Sequence, residues 1–565
     1  MSTTAPTQFV ILPMIVALVT AISTLLCRKF ERIQRSMSLL GAVGYLLAVA
    51  RLFRLITRGG PRTYQLSNWP APFGITLVAD ELTVFMLGMT AVVSLAAVAF
   101  SVFYVDDFGQ RISYHPLYHF MLVGVTGSFL TGDLFNLFVW FEVMLMPSYV
   151  LVAFYSGEQE TMAALRYIVL NLVGSALMLV AIGGIYATTG TLNMADIARR
   201  LARAGAFDVD PAPVLGLAAI LLAVFALKAG LVPFQFWVPS AYRAAPAPIS
   251  AALAGITKKV GIYAIIRLYF TVFAAGTLPT GLDFPGLSGT TFLAYFGPIL
   301  FVMATASIFV GGLGALNQPD LDGVLAYSSI GQVGFIVLPL AVVATGNRSL
   351  QVLGITAALV YALNHAVAKS LLFLVSGTVN QAVGSIQFED LGGLVGRAPV
   401  VSGSFFVGAL ALVGIPPLSG FFGKLFVFDT ATRAVIAGVG HPAVALAVAL
   451  LGAIFTIAYV SRTWNRGFWG EETADVAGAV RPRPLVGVIG LLAVTIVAIG
   501  IGFEPIYRAA EAAAHAAVDT QGYVDLVDPT TPAKVLATRS STHDPTGGVA
   551  TEAIRLPLRL AEVMA

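Results

Sequence analysis

A single glutamate, Glu142, lies in the middle of an apolar segment that covers residues 134–154. A helix of about 20 apolar residues crosses the hydrocarbon core of a bilayer. Glu142 follows Asp133 by nine residues, which places it roughly 13 Å along a helix from that end. A carboxylate at this depth is costly unless it is paired, hydrated or protonated. Glu142 is therefore predicted to be functional, and the alternative is a structural salt bridge between helices.

Basic residues occupy several other apolar segments. A desolvated lysine readily loses its proton and histidine titrates near neutrality, whereas arginine stays charged. A row of buried lysines and histidines can therefore pass protons when neighbouring charges alternately favour and disfavour each protonated form. Chemistry makes Lys228 the preferred partner of Glu142. The candidates for such a relay are Lys228, Lys258, Lys259, His365, Lys369 and Lys424.

Two spacings help to place these candidates. Tyr361, His365 and Lys369 stand four residues apart, so they share one helix face over roughly 12 Å and resemble a segment of a proton wire. The alternative for His365 is a structural histidine. Lys258 and Lys259 are consecutive and point about 100° apart. One of them is expected to face the relay, and the other to snorkel or to pair elsewhere.

Two apolar segments are predicted to contain broken helices. Residues 225–239 and 414–424 each join a lysine to prolines and glycines. Proline removes a helix hydrogen bond and glycine loosens the helix, so both segments should break. Paired broken helices in two halves of a chain are typical of transporters built from repeats. The alternative is a pair of packing kinks, which are common in membrane helices.

Composition defines the class of protein. The chain is 58% hydrophobic and only 11% charged, whereas soluble domains carry about 25% charged residues. An all-α polytopic membrane protein is therefore predicted. The net charge of +3 gives no reason to expect a nucleic-acid partner, and Cys27 is the one cysteine. No cofactor or metal is expected, since iron–sulfur clusters and structural zinc sites need more than one cysteine ligand. No phosphate-binding motif of the Walker type is present.

Fourteen segments are long and apolar enough to span a membrane. The polar segment 190–212, which contains the charged stretch 196–203, is expected to form a short interfacial helix, and residues 551–562 are expected to lie along the membrane or another subunit. His115, His119 and Arg267 are expected at interfaces. Loop charges give no consistent orientation. The predicted spans are 9–27, 37–57, 80–104, 114–131, 133–155, 163–188, 213–232, 248–274, 291–313, 323–343, 352–378, 401–428, 442–461 and 484–503.

Taken together, residues 80–470 resemble the antiporter-like membrane subunits shared by respiratory complex I, membrane hydrogenases and Mrp-type cation/proton antiporters. The glutamate helix at 133–149 and the loop at 69–75 are most similar to D subunits of Mrp-type antiporters. The motifs that carry the resemblance are 133–149, 227–239, 245–248, 259–263, 365–372 and 416–424.

The resemblance implies a fold. It implies 14 core helices with two inverted five-helix repeats, near helices 4–8 and 9–13, in which helices 7 and 12 are broken. The corresponding divisions of the chain are 1–105 for helices 1–3, 106–276 and 289–462 for the two repeats, and 463–565 for helix 14 and a polar tail.

The resemblance also implies roles for residues. Glu142 and Lys228 would be the ion-coupling pair, and Lys259, His365, Lys369 and Lys424 would continue a proton path. Lys258, Tyr361 and Asp133 are auxiliary candidates. One departure concerns 319–323, where many relatives carry a basic pair after the aspartate and this chain reads Pro-Asp-Leu-Asp-Gly. Any role of that basic pair does not transfer to this chain.

The implied function is ion transport and not enzymatic catalysis. The chain would be a proton-translocating subunit of a multisubunit Na⁺/H⁺ antiporter in the bacterial cytoplasmic membrane. Its partners would be other subunits of the complex, protons, monovalent cations and the lipid bilayer. One alternative is a proton-pumping subunit of a complex I-like or hydrogenase-like redox enzyme. Another is a non-transporting scaffold subunit.

Overall fold

The computed structural model describes residues 7–155, 157–279, 282, 284–285, 287–439, 442–480 and 482–528. Apart from one short hairpin, the regular structure in these ranges is helical. Eleven helices within them are long and apolar enough to cross a membrane. The predicted all-α polytopic architecture is therefore confirmed. The segment expected along the membrane at 551–562 lies outside the described residues.

The first part of the chain forms twelve helices and the hairpin. Strands β1 and β2 pair antiparallel, with Arg62 opposite Ala79. These elements are α1 Leu12–Leu26, α2 Glu31–Gly59, β1 Arg62–Gln65, β2 Thr76–Ala79, α3 Glu81–Tyr104, α4 Asp107–Arg111, α5 Tyr114–Leu130, α6 Leu134–Val152, α7 Glu158–Thr189, α8 Met194–Ala202, α9 Pro211–Ala229, α10 Trp237–Ala244, α11 Ala247–Ala252 and α12 Lys258–Ile265.

The second part continues with eleven helices, of which the last two are amphipathic and follow the final apolar helix. They are α13 Phe292–Leu316, α14 Leu321–Val343, α15 Arg348–Val383, α16 Leu394–Arg397, α17 Pro399–Val413, α18 Ser419–Ala437, α19 Pro442–Thr463, α20 Ala474–Ala477, α21 Arg483–Ile501, α22 Glu504–Ala517 and α23 Thr520–Val527. Each of the 14 predicted spans contains helix. The number of membrane crossings, the inverted repeats and the four divisions of the chain stay predictions.

Both predicted helix breaks are present. Helix α9 ends at Ala229 and α10 begins at Trp237, with Gly230 between them at φ 70°. Helix α17 ends at Val413 and α18 begins at Ser419, with Gly414 at φ 91°. A left-handed conformation of this kind favours glycine, and the prolines that follow cannot donate the next helix hydrogen bond. At each break a lysine, Lys228 or Lys424, therefore lies beside non-helical backbone.

The centre of the molecule is a continuous helical segment over Ala247–Ala275, which packs on all sides against other helices and contains two π-helical stretches, Leu253–Thr257 and Ile266–Val272. A π turn adds one residue per turn and is frequent at functional sites. Helices α14 and α15 are enclosed almost as completely. The protein therefore buries three neighbouring helices that carry candidate relay residues.

Three polar residues expected at interfaces are instead enclosed within the protein. His115 and His119 lie on α5, and the His119 ring nitrogen Nε2 is 2.9 Å from the Ser38 hydroxyl. The Arg267 guanidinium is also buried and lies 2.5 Å from the Asp80 carboxylate. All three side chains are buried because almost every residue of α5 and of the Ala247–Ala275 segment packs against other helices. The depth of these residues relative to the membrane surface stays a prediction. The short helix expected within 190–212 is present as α8.

Candidate ion-relay site

Ser175 connects Glu142 to Lys228. The Ser175 hydroxyl on α7 donates a hydrogen bond to the Glu142 carboxylate on α6, and the Lys228 ammonium lies 3.3 Å from the same hydroxyl. The Lys228 ammonium also donates to the Asn171 backbone carbonyl at 3.4 Å. Among the ion pairs of the described residues, none joins Glu142 directly to Lys228. The two predicted partners are therefore linked through a neutral hydroxyl.

Lys258 lies at the break between α9 and α10. A side chain at Gly230 would meet the Lys258 aliphatic chain at 2.8 Å, so glycine leaves room for it there. The Lys258 ammonium is 5.5 Å from the centre of the Tyr242 ring and 3.3 Å from the Ser329 hydroxyl. The expectation that only one of the two consecutive lysines faces the interior is wrong, because Lys258 is as completely buried as Lys259.

Lys259 contacts His365. Its ammonium lies 2.5 Å from Nδ1 of His365 and also donates to the Ala254 carbonyl. The other ring nitrogen of His365, Nε2, is 3.4 Å from the Ser329 hydroxyl. Ser329 thus stands between Lys258 and His365, and a single polar cluster contains both lysines. Its members are Lys258, Lys259, Ser329 and His365.

Lys369 has hydroxyl neighbours of its own. Its ammonium donates to the Ser328 hydroxyl at 2.8 Å and to the Leu325 carbonyl at 2.9 Å. The Ser328 hydroxyl donates to the Tyr459 hydroxyl at 2.7 Å, and the Gln332 amide donates to Tyr459 at 3.0 Å. Lys369 is therefore hydrogen-bonded to a chain of neutral polar groups that extends to α19.

Tyr361 and Lys424 lie at the far end of this chain. The Tyr361 hydroxyl donates to the Gln332 side-chain carbonyl. The Tyr361 ring stacks on Phe335 at 5.5 Å, and the Lys424 ammonium is 5.3 Å from the centre of the Phe335 ring. Lys424 is buried, and its ammonium has no hydrogen-bond partner within the described part of the chain. It stands beside the Gly414 break, where a side chain would meet it at 3.0 Å.

Asp133 plays a different part. Its carboxylate accepts a hydrogen bond of 2.7 Å from the Asn136 backbone N–H and so caps the start of α6. Burial raises the pKa of Asp133 to about 6, against the opposing effect of this backbone hydrogen bond. Capping satisfies one of the free N–H groups at a helix start. The structure thus gives this auxiliary candidate a role in positioning the helix that carries Glu142.

The departure from the family pattern at 319–323 also has a structural counterpart. Asp320 caps α14 through the Gly323 backbone N–H at 2.6 Å, and the Arg243 guanidinium on α10 pairs with the Asp320 carboxylate at 2.6 Å. A side chain at Gly323 would occupy the place of that guanidinium. In this chain the positive charge at the start of α14 therefore comes from α10.

Sequence reasoning placed the titratable residues and missed the neutral groups between them. Ser175, Ser328, Ser329, Gln332 and Tyr459 are all buried or nearly so and all contact relay candidates or one another. The available signal was weak, although Ser328 and Ser329 form a polar pair inside an apolar span. Within the described residues, no group of three or more His, Cys, Asp or Glu side chains is placed to hold a metal.

The sequence profile described as "NADH:quinone oxidoreductase/Mrp antiporter, TM" matches residues 131–450, more than half of the chain. The chain belongs to this family. The resemblance inferred from the sequence motifs is therefore confirmed. The region of this chain that matches the NADH:quinone oxidoreductase/Mrp antiporter family contains all six relay candidates, whereas α1–α5 and α20–α23 lie outside it.

Similarity to individual family members extends over nearly the whole chain. The D subunit of the Na⁺/H⁺ antiporter of Alkalihalophilus pseudofirmus is 35% identical over 92% of this chain and 99% of its own length. The N subunit of NADH-quinone oxidoreductase from Desulforudis audaxviator is 34% identical over 85% of this chain and 89% of its own. A chain in the structure of the Mrp complex from Dietzia sp. aligns over 92% of this chain and 99% of that chain, with a TM-score of 0.79 and 26% identity.

Proposed function

We propose that this chain is the proton-translocating D-type subunit of a multisubunit Na⁺/H⁺ antiporter. Proton movement through Glu142, Lys228, Lys259, His365, Lys369 and Lys424 drives the extrusion of Na⁺ or a similar monovalent cation. The near-complete coverage of relatives that are D subunits of Na⁺/H⁺ antiporters supports this choice within the family. The chain assembles with the other subunits of the complex in the bacterial cell membrane.

One observation carries the proposal: within the described residues the buried lysines contact neutral groups and form no ion pair with a carboxylate. Five of the seven lysines in the sequence are buried in the apolar helices, namely Lys228, Lys258, Lys259, Lys369 and Lys424. A lysine held in a fixed ion pair keeps its charge, whereas one that faces a hydroxyl or an imidazole can release its proton and regain it. Burial of ions without partners is otherwise expensive, which argues against a purely structural purpose.

The connections suggest how a proton could move. Imidazole accepts a proton at one nitrogen while it gives another from its second nitrogen. His365 faces Lys259 with Nδ1 and Ser329 with Nε2, so a proton can cross the ring between the two lysines of the cluster. A change of charge on Glu142 alters the electrostatic energy of Lys228 across Ser175, and this change is passed to the next ammonium group by repulsion between like charges.

The experiment measures cation-driven proton exchange with the complete complex in everted membrane vesicles. Glu142→Gln and Lys228→Ala each remove one member of the ion-coupling pair, and both should reduce the exchange to below about a tenth of the wild-type rate. Lys29→Ala is the matched control, since Lys29 is an exposed lysine outside the relay. Assembled Glu142→Gln and Lys228→Ala complexes with the full rate would contradict the proposal and leave a scaffold role.

The second candidate is a proton-pumping subunit of a redox complex. The 34% identity with a subunit of an NADH-quinone oxidoreductase favours it. In that case the same residues would move protons, but the energy would come from redox chemistry in partner subunits. Purification of the native complex separates the two: we expect copurifying antiporter subunits and Na⁺-dependent exchange, whereas flavin and iron–sulfur subunits would support the redox alternative.

A further inference from the structure

A second carboxylate, Asp322, lies between the buried helices α14 and α15. Asp322 is the second residue of α14 and is only partly accessible. One of its carboxylate oxygens accepts a hydrogen bond of 2.6 Å from the Ser376 hydroxyl, and Ser376 is itself buried on α15. The proposed relay does not use this residue. A partly buried carboxylate that accepts a hydrogen bond from a buried hydroxyl is well placed to change its protonation state.

Within the described residues, Asp322 takes part in no ion pair. The Arg243 guanidinium is paired with Asp320. The charged and titratable groups around it are Arg243 from α10, Asp320 from its own helix and Tyr104 from α3. A structural carboxylate in a buried helix pair would ordinarily have a cation of its own.

Asp322 and Lys369 lie along the same contact between α14 and α15. Asp322 meets Ser376, and between one and two turns further along α14 the Leu325 carbonyl and the Ser328 hydroxyl meet Lys369. Ser376 follows Lys369 by seven residues, which is two helical turns on the same face and roughly 10 Å. A short chain of hydrogen-bonded water molecules can bridge such a gap between polar groups.

The outer end of this contact is close to a cavity at the protein surface. The cavity has a volume of about 440 Å³ and is lined by residues of α7 and α10, among them Glu158, Glu160, Arg166 and Arg243. Arg243 forms part of its wall and also reaches Asp320, two residues before Asp322. Exposed charged side chains therefore lead from the cavity to the start of α14, next to Asp322. From Ser376, the hydrogen-bond partner of Asp322, Lys369 lies two helical turns away along α15.

We propose that Asp322 exchanges protons between the cavity at this end of the protein and Lys369. The carboxylic acid form of Asp322 gives its proton through intervening water to the neutral amine of Lys369. This step leaves a carboxylate and forms an ammonium. The carboxylate then takes a proton from a hydronium ion in the solvent at the cavity, which restores the acid and leaves a water molecule. The reverse sequence releases a proton to the same side.

This inference rests on the proposed relay, and one set of variants separates the two. Asp322→Asn keeps an acceptor for Ser376 but cannot ionise, so Na⁺-driven proton exchange by the complete complex should slow about tenfold or more. Asp322→Glu restores an ionisable group and should recover most of the rate. Ser376→Ala removes the hydrogen bond alone and should have the smaller effect. Glu389→Gln, an exposed carboxylate near the end of α15, is the matched control and should leave the rate unchanged.

Each outcome decides the question. Wild-type exchange in Asp322→Asn together with an inactive Lys369→Ala would overturn the role of Asp322 and leave the relay intact. Wild-type exchange in both variants would overturn the relay itself. If Asp322→Asn prevents assembly, Asp322→Glu decides: an assembled complex that exchanges at less than about a tenth of the wild-type rate would overturn the proposal, and a recovered rate would support it.

Discussion

The Lys259 ammonium lies 2.5 Å from Nδ1 of His365, although 106 residues separate the two in the sequence. For Lys259 to donate to Nδ1, that nitrogen must hold no proton, and the proton of a neutral ring is then on Nε2, which faces Ser329. The contact thus couples the tautomer of His365 to the protonation state of Lys259. It also makes the hydroxyl of Ser329 the group through which Lys258 and His365 communicate.

Ser329→Ala should therefore weaken the exchange by about tenfold, since it removes the shared hydrogen-bond partner of Lys258 and His365. Lys258→Ala should lose as much as Lys259→Ala, because both ammonium groups belong to the cluster. Exchange rates of Lys258→Ala, Ser329→Ala and the double variant form a double-mutant cycle. Strict additivity in that cycle would contradict communication between Lys258 and Ser329.

Ser175→Ala should slow Na⁺-driven exchange by about tenfold, because Glu142 and Lys228 then lose the hydroxyl that bridges them. Ser175→Thr keeps a hydroxyl and should retain most of the rate, which makes it the matched control. Rates are measured in vesicles that contain equal amounts of assembled complex. A Ser175→Ala complex as active as the threonine variant would show that the coupling does not pass through this side chain.

Lys424→Arg tests whether the last lysine must release its proton. Arginine keeps the positive charge but stays protonated, so exchange should fall to below about a tenth of the wild-type rate, as in Lys424→Ala. Thermal stability of the complex should change little, since the charge is retained. If Lys424→Arg exchanges normally while Lys424→Ala does not, the residue acts through its charge and not by proton transfer.

The buried pair Asp80–Arg267 predicts a large effect on stability. Removal of one partner leaves an uncompensated buried charge, so Asp80→Ala should lower the free energy of unfolding by about 3–5 kcal/mol. The double variant Asp80→Ala/Arg267→Met should recover part of this loss. Glu504→Gln breaks an exposed ion pair with Arg508 and should cost about 0–1 kcal/mol. Thermal unfolding in detergent would measure all three, and equal losses at the two sites would contradict the prediction.

The raised pKa of Asp133 predicts a pH dependence of stability. Because burial raises this pKa from 3.8 to about 6, the folded protein binds a proton that the unfolded chain releases between these values. The stabilisation is fully present below pH about 4 and is lost as the pH rises through about 6. Asp133→Asn keeps an acceptor for the helix cap and should remove this part of the dependence. The prediction would be contradicted if the difference in unfolding temperature between the wild type and Asp133→Asn stayed constant from pH 4 to pH 7.

Much of the site follows from the sequence because its strongest signals are local. Lysines beside proline and glycine marked both helix breaks, and the four-residue spacing marked the shared face of Tyr361, His365 and Lys369. Each inference needed only the geometry of one helix. The membrane also makes each buried charge conspicuous, since an apolar segment offers few other places for function.

The parts that sequence reasoning missed depend on how helices pack. A helical wheel separates Lys258 from Lys259 by about 100°, but it cannot show that their helix is enclosed on every side, so that both directions are interior. Likewise, Ser175 and Ser329 are ordinary residues until α6, α9 and α12 bring acidic and basic side chains to them. The hydroxyl contacts are decided by tertiary structure, and their residue types carry at most a weak local signal.

The short helix α10 follows the first helix break and connects it to two of the buried helices. The Trp237 indole at its first residue donates to the Leu227 carbonyl at 2.9 Å, next to Lys228. Near its other end the Tyr242 ring lies beside the Lys258 ammonium, and Arg243 pairs with Asp320 at the start of α14. These three attachments all belong to one eight-residue helix, so they are coupled through its position. A change at Lys228 can therefore reach Lys258 and α14 mechanically, in addition to any electrostatic effect.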